Sequence, residues 1–98
     1  MYARLSRFAG LPPERIDQTV DEFRQQQLPE LERQAGYKGV VVMLNRTTGQ
    51  SAALSFWESE AEMRASEQLA QRAREAAIAT AQPEREPVVD RYEVVLQR

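Results

Sequence analysis

The sequence predicts an α+β fold, a ferredoxin-like sandwich in which an antiparallel sheet of four strands carries two helices on one face. Three observations support this prediction. Segments rich in β-branched residues and segments with helical spacing follow one another in the order β-α-β-β-α-β. Glycine and proline separate most of these segments. The length of 98 residues suffices for a single domain, residues 1–98.

The N-terminal part of the chain supplies the first strand, the first helix and a hairpin. Residues 2–8 are predicted to form a strand. Pro13 suits the first position of the following helix, where its missing N–H needs no partner. Pro29 is expected to kink that helix or to begin a second segment, because it removes a backbone donor. The apolar runs 37–46 and 50–58 flank the turn sequence TTG and predict a β-hairpin.

A capped helix and a last strand follow the hairpin. Ser59 and Glu62 fit a capping box, in which the serine caps an amide at the helix start and the glutamate reaches back. The helix is predicted to continue without a break through residue 80, with the charged run 72–77 facing solvent, and residues 88–97 are predicted to be the final strand. The predicted sheet-facing stripe of this helix is mostly small, so the helix either lies close to the sheet or leaves a cavity beneath it; the stripe is Ala61, Ala65, Leu69, Ala73, Ala76 and Ala77.

The strands of the hairpin are apolar on both faces, whereas a sheet with one wet face should alternate apolar and polar residues. Val41 and Met43 lie on one face of their strand, and Leu54 and Phe56 lie opposite Trp57 on the next. We expect the larger pair to fill the helix-facing core and Trp57 to be buried at the strand–helix junction, near a partner subunit. A second copy of the chain, in a homodimer, is expected to cover the other face. The alternative is a Val-rich sheet with a few exposed apolar residues.

The composition excludes several classes of function. The chain has no Cys and no His, which removes disulfides, thiolate chemistry and the commonest metal ligand, so we expect no metal and no cofactor. The formal net charge is −2 with both signs interspersed, which predicts no nucleic-acid partner. The longest apolar run, residues 40–44, is too short to cross a membrane, and the N-terminus lacks a signal-peptide core. A cytoplasmic protein without membrane contact is the expectation.

Residues 28–66 resemble the antibiotic-biosynthesis-monooxygenase-like domain of the dimeric α/β-barrel superfamily, most clearly in AGYKG, TTG and WES. The resemblance implies a dimeric α/β barrel and, as function, the cofactor-independent oxygenation of an aromatic small molecule. The alternative is a non-catalytic dimer that binds a small apolar ligand or has a structural or regulatory role. Related haem-degrading proteins use an Asn, a Trp and a His, and these positions fall on Ser6 or Arg7, Ser66 and Ala76 here, so the resemblance does not extend to haem degradation.

The resemblance also implies site residues, because some members of the family hold phenolic substrates with Trp, Tyr, Asn and Arg side chains. The candidates for catalysis are Trp57, Tyr92, Asn45 and Arg46. The candidates for ligand binding are Tyr37, Phe56 and Leu69. A structural interpretation stands beside each of these roles, since aromatic residues commonly pack in cores or interfaces and polar residues are common beside a hairpin turn.

Overall fold

The structure, a computed structural model, describes residues 1–98. The strands are β1 (Tyr2–Phe8), β2 (Tyr37–Asn45), β3 (Gln50–Trp57) and β4 (Val88–Glu93). The helices are α1 (Pro13–Glu22), α2 (Leu28–Glu32), α3 (Glu60–Ala65) and α4 (Glu67–Ala81), and a π-helical turn, Phe23–Gln27, joins α1 to α2. The strands lie in the order β2-β3-β1-β4 and all neighbours are antiparallel, which confirms the predicted ferredoxin-like sandwich.

The first helical region is divided, as the position of Pro29 predicted. α1 begins at Pro13, and the chain continues through the π-helical turn into α2, where Pro29 lies in the first turn. The missing N–H of a proline removes little hydrogen bonding at that position, because the N–H groups of a first turn lack helical partners in most helices. Phe23 and Leu31, on either side of the division, both reach the core around Trp57.

The second helical region is broken at Ser66, which corrects the prediction of a continuous helix. The Ser66 hydroxyl donates to the Met63 carbonyl at 2.7 Å and accepts from Arg4 Nη2 at 2.7 Å, and Arg4 Nη2 also donates to the Met63 carbonyl at 2.6 Å. Side-chain hydrogen bonds of this kind compete with the helical ladder. The break changes the helical phase, so Ala61 and Ala65, predicted to face the sheet, are exposed.

The capping box at the start of α3 is present, with one difference in geometry. Ser59 Oγ accepts a hydrogen bond from the Glu62 N–H at 3.2 Å, as predicted. The Glu62 carboxylate accepts from the Ser59 hydroxyl at 2.9 Å, whereas the usual box pairs it with the N–H of the capping residue. The cap therefore fixes the start of α3 at Glu60, with two residues between it and the end of β3.

The faces of the sheet are the reverse of the sequence prediction. Trp57 points towards the helices and is fully buried, whereas Leu54 and Phe56 lie on the outer face. Burial of Trp57 at the junction is confirmed, but its assignment to the partner-facing side is wrong. The physical reason is that the helix side offers the ring large apolar neighbours and offers its indole N–H an acceptor, Ser55 Oγ at 2.9 Å. The buried neighbours are Leu31, Met63 and Leu69.

The last strand is shorter than predicted. β4 ends at Glu93, before the expected end at residue 97. The Val94 N–H still donates to the Met1 carbonyl at 2.8 Å. No strand of the chain lies opposite the residues after it, so Val95 and Leu96 are exposed.

A β-bulge at Lys38 interrupts the pairing of β2 with β3. Tyr37 pairs with Trp57 and Gly39 pairs with Phe56, so β2 advances by two residues where β3 advances by one. Gly39 has a φ of +139°, a value that favours glycine. Because the bulge absorbs Lys38, Tyr37 and Val40 both face the helices. The Tyr37 ring meets the Trp57 ring edge-on, with centroids 5.9 Å apart.

Candidate functional site

A cavity of about 130 Å³ lies between the helices and the sheet. Small side chains on both sides create it: Ser6, Ala53 and Ser55 on the sheet, and Ala70, Ala73 and Ala77 on α4. Of the two alternatives for the small-residue helix, close approach or a cavity, the structure has the cavity. Its volume is near that of an engineered apolar cavity of roughly 150 Å³ that binds benzene, so it matches one aromatic ring.

The rest of the wall is predominantly apolar and comes from every layer of the fold. Such a wall with a few polar groups is the usual form of a small-molecule site. The π-helical turn contributes through Phe23, and π-helical turns are frequent at functional sites. The larger apolar residues on the wall include Ile16, Val20, Phe23, Val40, Val42 and Leu44.

Arg4 lies on the cavity wall beside the Trp57 cluster. Its residue exposure is only 3%. Nη2 donates to the Met63 carbonyl and to Ser66 Oγ, and Nε donates to Glu67 at 3.3 Å. Burial lowers the pKa of Arg4, and the neighbouring Glu67 carboxylate opposes that effect. These contacts hold the guanidinium in one position between β1 and the break in the second helical region.

Arg74 reaches the cavity from α4, which corrects the expectation that the charged run 72–77 faces solvent. It is 8% exposed. Nη1 lies 3.5 Å from Ser6 Oγ, and Nη2 donates to Gln71 Oε1 at 2.9 Å. Arg74 takes part in none of the ion pairs of the chain. Its pKa is lowered, first by burial and then by the positive charge of Arg4.

One carboxylate, Glu67, lies among these cations. It accepts two hydrogen bonds of 2.8 Å from Arg91, through Nε and Nη2, in addition to the one from Arg4. The hydrogen bond from Arg91 lowers the pKa of Glu67, and burial opposes it; the same hydrogen bond raises the pKa of Arg91. Three guanidinium groups lie near Glu67, and that of Arg74 is the one that forms no ion pair with it; Glu67 and Glu75 act on Arg74 only through their negative charges.

Three of the predicted site residues lie in the core behind the cavity. Trp57 and Leu69 belong to the buried cluster, and Tyr37 packs against it. Burial raises the pKa of Tyr37, and the negative charge of Glu32 adds to the effect. None of the three is on the cavity wall, but Trp57 touches the wall residue Ser55 and lies under Arg4.

The other four predicted site residues lie elsewhere. Tyr92 and Phe56 are on the outer face of the sheet, where both pair with Ala3 of β1, Tyr92 from β4 and Phe56 from β3. Asn45 caps the hairpin turn, where its Oδ1 accepts hydrogen bonds of 3.1 Å from two backbone N–H groups. Arg46 is exposed and forms an ion pair of 2.9 Å with Asp17. A catalytic or binding role for any of the seven stays a prediction.

None of the polar residues on the cavity wall was among the candidates; they are Arg4, Ser6, Thr19, Ser51, Ser55 and Arg74. A signal for the first two was present. The alternation of β1 places Arg4 and Ser6 on one face, and polar residues at two successive inward positions of a central strand indicate a site. Arg74 carried no such signal, because the break at Ser66 that sets its direction is made by a tertiary contact.

The described chain has no group of three or more Asp or Glu side chains placed to hold a metal ion. None of its helices combines the length and apolar character that crossing a bilayer requires.

No family model and no curated protein matches the chain. Solved structures do. A monooxygenase from the gene ActVA-Orf6 of Streptomyces coelicolor, in complex with the ligand nanaomycin D, is 14% identical, with a TM-score of 0.76 over 99% of this chain and 92% of that one. SnoaB, a cofactor-independent oxygenase from Streptomyces nogalater, is 14% identical, with a TM-score of 0.71 over 98% and 94%. A dimeric ferredoxin-like protein from an uncultured marine organism is 8% identical, with a TM-score of 0.76 over 99% and 90%.

These similarities extend over nearly the whole of each chain, so they compare complete domains. At such low identity they establish the fold, and fold alone does not carry function. The chain has the fold of the antibiotic-biosynthesis-monooxygenase-type structures, as its sequence resemblance implied.

Proposed function

We propose that the chain binds a one-ring aromatic molecule in the cavity and oxygenates it with O₂ without a cofactor. The observation that carries the proposal is the cavity itself: it is apolar, its volume matches one ring, and it lies between sheet and helices. The fold supports the proposal, since it is shared with a protein described as a cofactor-independent oxygenase.

An electron-rich phenol supplies the electrons for this reaction itself. In its ionised form a ring carbon attacks O₂, and a C–O bond forms. The resulting hydroperoxide breaks its O–O bond and loses water as the proton on that ring carbon leaves, which gives a quinone. One oxygen atom enters the product and the other leaves as water; the phenol loses four electrons and O₂ gains four. The part of the chain is to position the ring and to exclude water.

A non-catalytic ligand-binding protein is the second candidate, and one observation favours it. The charged side chains on the cavity wall are Arg4 and Arg74, and neither can accept the proton of a phenol. Oxygenation therefore needs a substrate that ionises into water before or during binding. A ligand that is merely held needs no proton acceptor at all.

We propose further that the chain forms a homodimer through the outer face of the sheet. Leu5, Leu54 and Phe56 form the half-buried centre of this face. Around them Val41, Met43, Val88 and Tyr92 are 45–52% exposed, an apolar patch of the kind that marks an interface. The exposed Val95 and Leu96 follow β4, the edge strand that carries Val88 and Tyr92. A structure of the same fold is described as dimeric, which supports a second copy as the occupant.

Oxygen uptake and ligand binding together test the function. We expect a one-ring phenol to bind, to stimulate O₂ uptake and to give the absorbance of a quinone. Ala77→Leu places a larger side chain in the cavity and should abolish both binding and uptake. Ala79→Leu makes the same change at an exposed position of α4 and should affect neither. Binding without O₂ uptake would favour the second candidate, and unaltered binding by the Ala77 variant would overturn the assignment of the site.

A further inference from the structure

We infer that the ligand of this cavity carries a carboxylate, which pairs with Arg74 at the end of the cavity that Arg4 lines. The inference rests on the proposed function only in its choice of site. It adds the charge and the class of ligand, a one-ring aromatic acid, which neither the fold nor the apolar wall specifies.

The first step is the position of the two cations. Arg4 and Arg74 approach the same cavity from opposite layers, one from β1 and the other from α4. Both are almost completely buried, so solvent does little to neutralise their charge. Arg74 Nη1 reaches across to Ser6 on the sheet, at a distance of 3.5 Å that makes a weak hydrogen bond.

The second step is the charge balance. Both oxygens of Glu67 are engaged by Arg91, and one of them is shared with Arg4, so Glu67 is committed away from Arg74. Arg74 therefore has only neutral hydrogen-bond partners, Ser6 and Gln71. Glu67 and Glu75 act on Arg74 through their charges without forming an ion pair with it, so its burial remains costly, and an anion that enters the cavity offsets that cost. A neutral ligand offers no charge to offset that of the guanidinium.

The third step selects a carboxylate among anions. A carboxylate offers two oxygens to the planar fork of a guanidinium, and it is ionised at neutral pH without help. A phenol offers one oxygen and has an ordinary pKa of about 10, so it enters mainly as the neutral form.

A matched pair of ligands tests the inference. Para-hydroxybenzoate and para-hydroxybenzamide have nearly the same shape and differ in charge, and calorimetry gives the dissociation constant of each. We expect the acid to bind at least about tenfold more tightly than the amide. Arg74→Gln should remove this preference, and Arg74→Lys should keep part of it, because it retains the charge without the fork. Arg72→Gln, at an exposed position on the same helix, should leave the preference unchanged.

The outcomes separate this inference from the proposed function. Equal binding of acid and amide would overturn the inference while leaving an aromatic site in place. A preference that survives in a folded Arg74→Gln variant, as judged by circular dichroism, would also overturn it. A preference lost in that variant and kept in the Arg72 control would establish it, whether or not the bound acid supports O₂ uptake. Failure of both compounds to bind would overturn the inference and the aromatic site together.

Discussion

The guanidinium carbon of Arg4 lies 5.7 Å from the centroid of the Trp57 ring. This distance is within the range of a cation–π contact, and the burial of both residues strengthens it. The contact joins the two parts of the molecule that matter most here. Trp57 belongs to the hydrophobic core, Arg4 belongs to the cavity wall, and the position of one depends on the other.

Replacement of Trp57 should therefore destabilise the fold and also disturb the cavity. We expect Trp57→Ala to lower the free energy of unfolding by about 3–5 kcal/mol, as for other buried aromatic residues. Trp57→Phe should be milder, because it keeps a ring beside Arg4 and loses the hydrogen bond to Ser55. Chemical denaturation measures both. A variant that lost the dimer but kept the unfolding free energy would contradict the core position.

Ser66 should matter more than its size suggests. Ser66→Ala removes one of the two acceptors for Arg4 Nη2 in a fully buried place, so we expect a loss of about 1–3 kcal/mol in unfolding free energy together with weaker ligand binding. Ser59→Ala is the control, because it removes a helix cap far from the cavity wall. It should lower stability by about 1 kcal/mol and leave ligand affinity unchanged. Equal effects of both variants on affinity would contradict the role of Ser66.

The Glu67–Arg91 pair predicts a pH dependence of stability. The pKa of Glu67 is lowered in the folded state, so the folded chain binds its proton less readily than the unfolded one. The contribution is complete above the ordinary carboxyl pKa of about 4.3 and disappears as the pH falls through the lower folded value. Because Arg91 is 44% exposed, we expect a modest contribution, below about 1 kcal/mol.

Thermal melts of Glu67→Gln against the parent chain measure this contribution. The difference in melting temperature should be largest near neutral pH and should disappear in acid. Glu86→Gln changes an exposed carboxylate that belongs to none of the ion pairs of the chain, and it serves as the control that should show a smaller trend. A difference that grew as the pH fell would contradict the assignment.

We expect Arg74 to contribute to ligand binding and not to the stability of the fold. Arg74→Met keeps a long apolar stem, removes a desolvated cation and relieves repulsion from Arg4, so we expect the unfolding free energy to rise by about 1 kcal/mol. Arg72→Met, on the exposed side of α4, should be close to neutral. Denaturation curves of the two variants provide the comparison, and a marked loss of stability in Arg74→Met would indicate a structural role.

The proposed dimer makes a prediction about one exposed side chain. Met43→Glu changes a residue that is 47% exposed in the single chain, so its effect on the stability of a monomer should be small. In a dimer that buries about 2,000 Å² it would place a charge in an apolar interface and should dissociate it. Sedimentation at micromolar concentration, with the exposed Arg33→Glu as control, checks this. A parent chain that sediments as a monomer would refute the dimer.

The sequence predicted the elements well because their signals are local. Pro13, Ser59 and the turn sequence TTG each act within a few residues, and the helix start, the helix cap and the hairpin turn appear in the structure at the predicted places. The break at Ser66 could not be predicted in this way, since Arg4, 62 residues away, donates one of the two hydrogen bonds of its side chain. The direction of Trp57 was equally non-local. The alternation of side chains along β3 predicted which residues share a face, but the packing of the helices decides which face is buried.

The β-bulge at Lys38 has a consequence for insertions and deletions in this part of the chain. Deletion of Lys38 alone would remove the extra step of β2, and Tyr37 would still face Trp57, now in an uninterrupted ladder. Deletion of any one residue between Val40 and Leu44 would instead invert every side chain on one side of the cut, unless a second bulge arose. We therefore expect β2, which lines the cavity, to tolerate a change of length only at Lys38, next to the Tyr37 ring.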